Sequence, residues 1–132
     1  MADPQQPLYE RVDGVEFFAR LVDHFYSGVV HDPVLAPLYP PDDLDGARER
    51  LTLFLVQYWG GPTTYSDQRG HPRLRMRHAP FAIGGAQREA WMRHMSTAVA
   101  DMVGEGSLTE ADGALMLEYF EMASQHMVNV VG

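Results

Sequence analysis

"FLVQYWGGPTTYSDQRGHPRLRMRHAPF", residues 54–81, decides how this chain is read. It opens as the end of an apolar helical period and stops at Gly60-Gly61-Pro62, a glycine C-cap with proline just beyond. Residues 62–71 read as loop, and 72–78 as a short helix that Pro80 terminates. With Arg69, the helix residues Arg73, Arg75 and Arg77 place four of the ten arginines within nine residues. The helix ends in His78, which shares a face with Leu74 by the i, i+4 rule and so points inward. A cationic, histidine-ended segment stands out in a chain of formal net charge −8.

Working outward, apolar residues recur at helical spacing and no segment reads as a strand. After a short turn over 7–12 and Asp13-Gly14, the positions Val15, Phe18, Leu21, Val22, Phe25, Tyr26 and Val29 mark a helix with one buried stripe that stops near Pro33. "DPVLAPLYPP", residues 32–41, is too proline-rich for a long helix and predicts one or two tight turns that deliver Leu38 and Tyr39 to the interior. Leu44, Ala47, Leu51, Phe54, Leu55 and Tyr58 mark the helix that ends at Gly60. Beyond Gly84-Gly85, a stripe of Trp91, Met95, Ala98 and Met102 runs until "GEGS" breaks it. The last helix opens at a capping box, Ser107 to Glu110, and buries Leu108, Ala111, Leu115, Tyr119 and Met122. The expectation is an all-α domain of four substantial helices and two short ones.

Composition limits what such a domain does. Its 132 residues, 45% apolar, suffice for one domain and one core. With 18 acidic against 10 basic residues it lacks the broad cationic face that nucleic acid or an anionic membrane requires. The absence of cysteine excludes disulfides, thiolate metal sites, iron–sulfur clusters and a thiol nucleophile. No signal-peptide pattern opens the chain and no apolar run reaches membrane-spanning length, so a cytoplasmic protein without stable membrane insertion is expected. No HExxH, phosphate loop or Ser-His-Asp pattern appears. His24 and His31 lie off their helix's apolar stripe and read as surface residues. His94, on a flank, and His126, near the chain end, do not suggest a metal site.

Two readings of the cationic segment stay open at this point. The arginines alone fit a solvated face, and one inward histidine fits a satisfied core residue. Against that, Tyr26, Tyr39 and Trp91 bring three hydrogen-bond donors toward the same core, and an unpartnered buried donor costs about 1–3 kcal/mol. A shared polar guest would satisfy them. Arginines for propionates, an inward histidine for iron and a wall of donors for a ligand describe the surroundings of haem.

From "LYERVDG" at residue 8 to "EYFEMA" ending at 123, the chain resembles the truncated haemoglobins, and among them group II, the actinobacterial O class. The most specific stretches are "FYSGV" (25–29), "LYPPDDLDGARERL" (38–51), residues 54–81 and "REAWMRHM" (88–95). Only the first six residues and the last few fall outside the resemblance, and neither end is expected to touch a site. The resemblance implies one truncated-globin domain over 1–132, with 1–6 a flexible extension, folded as a two-over-two helical sandwich around haem b (iron protoporphyrin IX). It makes His78 the proximal iron ligand, and Tyr26, Tyr39 and Trp91 the distal, ligand-stabilising residues. Ala47 stands where many globins carry a distal histidine, with Leu51 one turn further in. Arg50, Tyr65, His71, Arg75 and Arg77 become the propionate partners, Arg50 and Arg77 foremost. Phe25, Phe54, Leu55, Leu74, Met76 and Phe81 become apolar walls.

Such a protein is expected to bind dioxygen, carbon monoxide and nitric oxide. A hydrogen bond to a charged group contributes about 1.5–3 kcal/mol, roughly ten- to a hundredfold in dissociation rate per donor, so oxygen release should be slow. Slow release suits nitric oxide or peroxide chemistry, of nitric oxide dioxygenase or peroxidase type, with an unidentified reductase, in a monomer or homo-oligomer. Oxygen storage or delivery without turnover is the alternative, and a haem-free helical interaction module a more distant one.

Overall fold

A computed structural model describes residues 6–130. Five of the six residues read as an N-terminal extension therefore lie outside the described residues. The helices are α1 (Leu8–Arg11), α2 (Gly14–Val29), α3 (Leu44–Tyr58), α4 (Thr64–Arg69), α5 (Leu74–His78), α6 (Gly85–Gly104) and α7 (Glu110–Met127), and no strand occurs among the described residues. Two 3-10 turns, Ala36–Leu38 and Pro41–Asp43, join α2 to α3, because prolines at 33, 37, 40 and 41 forbid a longer helix there.

The long helices pair as α2 with α3 and α6 with α7, and α2 packs on α6 across the pairs. This is the two-over-two sandwich. Its centre is the α2 stripe: Phe17, Phe18, Leu21, Val22, Phe25 and Val29 are wholly excluded from solvent. The expected stripe holds except at Val15, which is 44% exposed on the first turn, while Phe17 takes the inward position.

Where α2 crosses α6, no side chain separates them at Gly28. A Cβ there would collide with the His94 imidazole, which passes over α2 so that its Nε2 lies 2.6 Å from Asp32 Oδ2. Asp32 is buried and also accepts the Val34 N–H at 2.8 Å. The His94 hydrogen bond, followed by that backbone bond, holds the Asp32 carboxyl below its usual range.

Four expectations from the sequence are corrected by the structure. Residues 64–69 form α4 rather than loop; its six residues are held from outside by burial of Tyr65 and by Gln57, which grips Ser66 through Nε2 to Oγ at 2.8 Å and Oε1 to N–H at 3.0 Å. The cap of α7 is Thr109, whose hydroxyl accepts the Asp112 N–H at 3.1 Å, whereas Ser107 bonds Arg20 and Glu105. The buried face of α7 runs through Gly113, Met116, Phe120 and Ser124, one residue out of step with the expected stripe, and Leu115 and Met122 are 50% and 64% exposed. Apolar residues occupy both sides of "LMLEYFEM", so periodicity alone does not choose the frame. Tyr58 is likewise turned outward, at 48% exposure, stacked on Tyr119 with ring centroids 4.0 Å apart.

Candidate functional site

A cavity of about 540 Å³ opens among α3, α5, α6 and α7, with α2 and the 3-10 turns closing its inner end. His78 reaches it from α5. The Nδ1 of His78 lies 2.7 Å from the Leu74 carbonyl one turn earlier. A carbonyl only accepts, so Nδ1 is the donor and Nε2 is the nitrogen that bears the lone pair in the neutral ring, the tautomer of a metal-ligating imidazole. The i, i+4 spacing of Leu74 and His78 that predicts an inward face also supplies this bond.

Tyr26 from α2, Tyr39 from the turn and Trp91 from α6 also line the cavity. The rings of Tyr26 and Tyr39 meet edge to face at 5.4 Å. The Tyr26 hydroxyl and the Trp91 indole N–H are the donor groups that act on the Tyr39 hydroxyl. Burial pushes the Tyr39 hydroxyl up to about 12 despite these donors. Burial, then the neighbouring Tyr39, raises Tyr26 further still. Both phenols stay protonated across the neutral range. Phe25 does not line the cavity; wholly buried, it backs Tyr26 at 5.1 Å and Trp91 at 5.3 Å.

Of the residues singled out in the sequence, Ala47, Arg50, Leu51, Phe54, Leu55, Tyr65, Leu74, Arg77 and Phe81 also line the cavity. His71, Arg75 and Met76 do not. Their exclusion follows from helix geometry: α5 has five residues, and with Leu74 and His78 inward, Arg75 and Met76 point out, Met76 being 60% exposed. His71 lies in the bend before that helix, and Arg75 Nε donates instead to the His126 carbonyl at 3.1 Å.

The rim is cationic but engaged. Arg50 pairs with Asp43 at 2.6 Å, which lowers the Asp43 carboxyl and raises the Arg50 guanidinium. Arg77 donates to the carbonyls of Pro72 at 2.6 Å, Arg69 at 2.7 Å and His71 at 3.3 Å, and lies over the Tyr65 ring. It stitches the bend before α5 together.

Sequence reasoning missed several lining residues. Gln87 and Arg88 stand four and three residues before Trp91, on its helix face, and that spacing was the available signal. Arg88 is held on α7 by Ser124 Oγ at 3.2 Å and the Glu121 carbonyl at 3.1 Å. Phe120, Ala123, Ser124 and Met127 line the cavity because of the α7 frame. No group of three or more His, Asp or Glu gathers as a metal site among the described residues, so the site offers a metal one imidazole. It suits a metal that brings its other ligands in a flat apolar ring, with Arg69 and the two engaged arginines at the rim for acidic substituents.

Residues 7–127 match the family of bacterial-like globins. The chain is 39% identical over 121 residues to the group 2 truncated hemoglobin YjbI of Bacillus subtilis (strain 168), covering 92% of this chain and 87% of that protein. Among solved structures, a thermostable haemoglobin from the actinobacterium Thermobifida fusca shares 52% identity with a TM-score of 0.86, over 94% of this chain and 98% of the other. A truncated oxygen-avid haemoglobin from Bacillus subtilis shares 36% identity with a TM-score of 0.81, over 93% and 99%.

Proposed function

Because the chain belongs to the bacterial-like globin family, as a truncated haemoglobin of group II, we propose that its cavity holds haem b through His78 Nε2 and that it binds dioxygen, carbon monoxide and nitric oxide. The observation that carries this reading is the Leu74 carbonyl bond to His78 Nδ1, which leaves Nε2 as the ring nitrogen available to a metal in the one histidine that lines a cavity of fitting size. When bound, haem would supply an iron centre able to take up diatomic gases and to exchange electrons with nitric oxide or peroxide. Leu51, Phe54, Leu74 and Phe81 would keep water from its ring. Arg50, Arg69, Arg77 and Tyr65, which line the cavity, would hold its carboxylates.

The distal residues act on charge. Trp91 N–H donates and never accepts, so it favours a guest bearing negative charge. Tyr39, whose hydroxyl burial keeps protonated at neutral pH, is a second donor beside it. Slow oxygen release follows, and the oxygen-avid relative supports it. We assign the protein to nitric oxide or peroxide redox chemistry, in the cytoplasm, supplied by a reductase. No helix among the described residues is long and apolar enough to cross a membrane.

Stopped-flow oxygen displacement tests this assignment. Trp91→Phe keeps the ring and removes the N–H, and should speed oxygen release at least about tenfold, equivalent to about 1.4 kcal/mol, with carbon monoxide responding less. Tyr39→Phe should also speed release. Rapid release from the wild-type protein would favour oxygen storage instead, and an unchanged rate in Trp91→Phe would make the indole packing only.

A further inference from the structure

The helix that carries His78 does not hold itself in place. Five residues form too few internal hydrogen bonds to persist alone, and α5 starts from Arg73, a non-glycine residue with φ 44° and ψ 52°. The position of His78 therefore depends on what grips each end. Arg77 grips the N-terminal end through its carbonyl bonds. The C-terminal end is gripped by residues that follow α7.

Asn129 makes most of that grip. Its Nδ2 donates to the Phe81 carbonyl at 2.8 Å and to the His78 carbonyl at 3.3 Å. Its Oδ1 accepts the Ile83 N–H at 2.9 Å. Its own N–H returns a bond to the Ile83 carbonyl at 2.9 Å, joined by Val130 N–H at 3.2 Å. The His78 carbonyl thus receives two donors, Asn129 and the Phe81 N–H at 2.9 Å. A primary amide supplies both the two-proton donor and the acceptor that this turn needs. The expectation that the last few residues touch no site is corrected here, because one of them bonds the backbone from which the imidazole hangs. Asn129 also lies beyond the stretch, 7–127, that matches the family.

We propose that Asn129 is a positioning residue for His78: the Leu74 carbonyl sets the rotation of the imidazole, and the Asn129 amide sets where its backbone stands relative to the cavity. The role in iron ligation rests on the haem reading above, whereas the clasp itself does not. Two substitutions separate its halves. Asn129→Ala removes every side-chain bond. Asn129→Asp keeps the acceptor for Ile83 N–H and removes both donated bonds.

Hydrogen–deuterium exchange on the cofactor-free chain, and resonance Raman of the iron–histidine stretch with haem transfer to an acceptor globin on the loaded chain, test it. Asn129→Ala should lower protection of the Ile83 amide at least about tenfold, leaving the α2 and α6 core amides as in wild type. Asn129→Asp should retain Ile83 protection. Both should shift or broaden the iron–histidine band and speed haem loss. Haem uptake with an unaltered band in both variants overturns the proposal while leaving the haem reading intact. A wild-type chain without a Soret band after haem addition removes the haem reading and the ligand-positioning role with it.

Discussion

Single side chains set the chemistry, and those facing inward along a helix were the ones legible in the sequence. His78 shows its direction through Leu74, and Trp91 through Met95 and Ala98. Arg75, Met76 and His71 do not line the cavity, a direction that a five-residue helix is too short for periodicity to show. Arg50 illustrates what sequence cannot supply, which is the competing partner. Its guanidinium reaches the cavity rim yet pairs with Asp43. Because the pair is half exposed, Arg50→Ala should speed haem loss by no more than roughly fivefold. Asp43→Asn, which frees the guanidinium for a haem carboxylate, should slow it. Haem transfer to an acceptor globin measures both, and equal rates in wild type and the two variants would make Arg50 a solvated rim charge.

Elements are positioned by contacts their local sequence shows unevenly. The end of α3 was readable from Gly60-Gly61-Pro62, since Gly60 has φ +96° and a Cβ there would strike Pro7. The frame of α7 was not, because only the packing of Met116 and Phe120 against the core selects it. Phe120→Ala should therefore cost about 3–5 kcal/mol in urea unfolding, whereas Leu115→Ala should lie within about 0.5 kcal/mol of wild type. Comparable losses for the two would restore the stripe expected from sequence. The α2–α6 crossing has a similar signature. Gly28→Ala forces its methyl into the His94 ring and should destabilise by about 1–3 kcal/mol. Combining it with His94→Ala should cost less than the sum of the two, as contacting residues do in a double-mutant cycle. Strict additivity would mean that the contact is relieved without cost.

At the scale of the whole molecule, the all-α class and the helix order were legible, since four long amphipathic periods leave few ways to bury their stripes. The clasp of Asn129 was not, because a polar residue after the last helix carries no periodic signal. The folded state also sets a pH window. Tyr39 and Tyr119 hold their protons to about 12, against 10.0 for a free phenol. Between those values the unfolded chain releases protons that the folded chain keeps, so stability should fall as pH rises from about 10 toward 12. On the acid side, Asp32 and Asp43 have lowered values. Their contribution is present above 3.8, the ordinary carboxyl value, and is lost as pH falls below it. Thermal melts across pH check both limbs. Tyr39→Phe and Tyr119→Phe should each flatten the alkaline limb, and an alkaline limb unchanged in both would contradict the burial of these phenols.

The proposed cofactor binding depends on one histidine, His78. Titrating haem into the wild-type chain and into His78→Ala, with absorption and resonance Raman spectra of the ferrous forms, measures that directly. A Soret band that saturates at one haem per wild-type chain is predicted, with an iron–histidine stretch absent from His78→Ala and an iron–imidazole stretch there when imidazole is added. A normal five-coordinate histidine-ligated spectrum in His78→Ala without imidazole would contradict it.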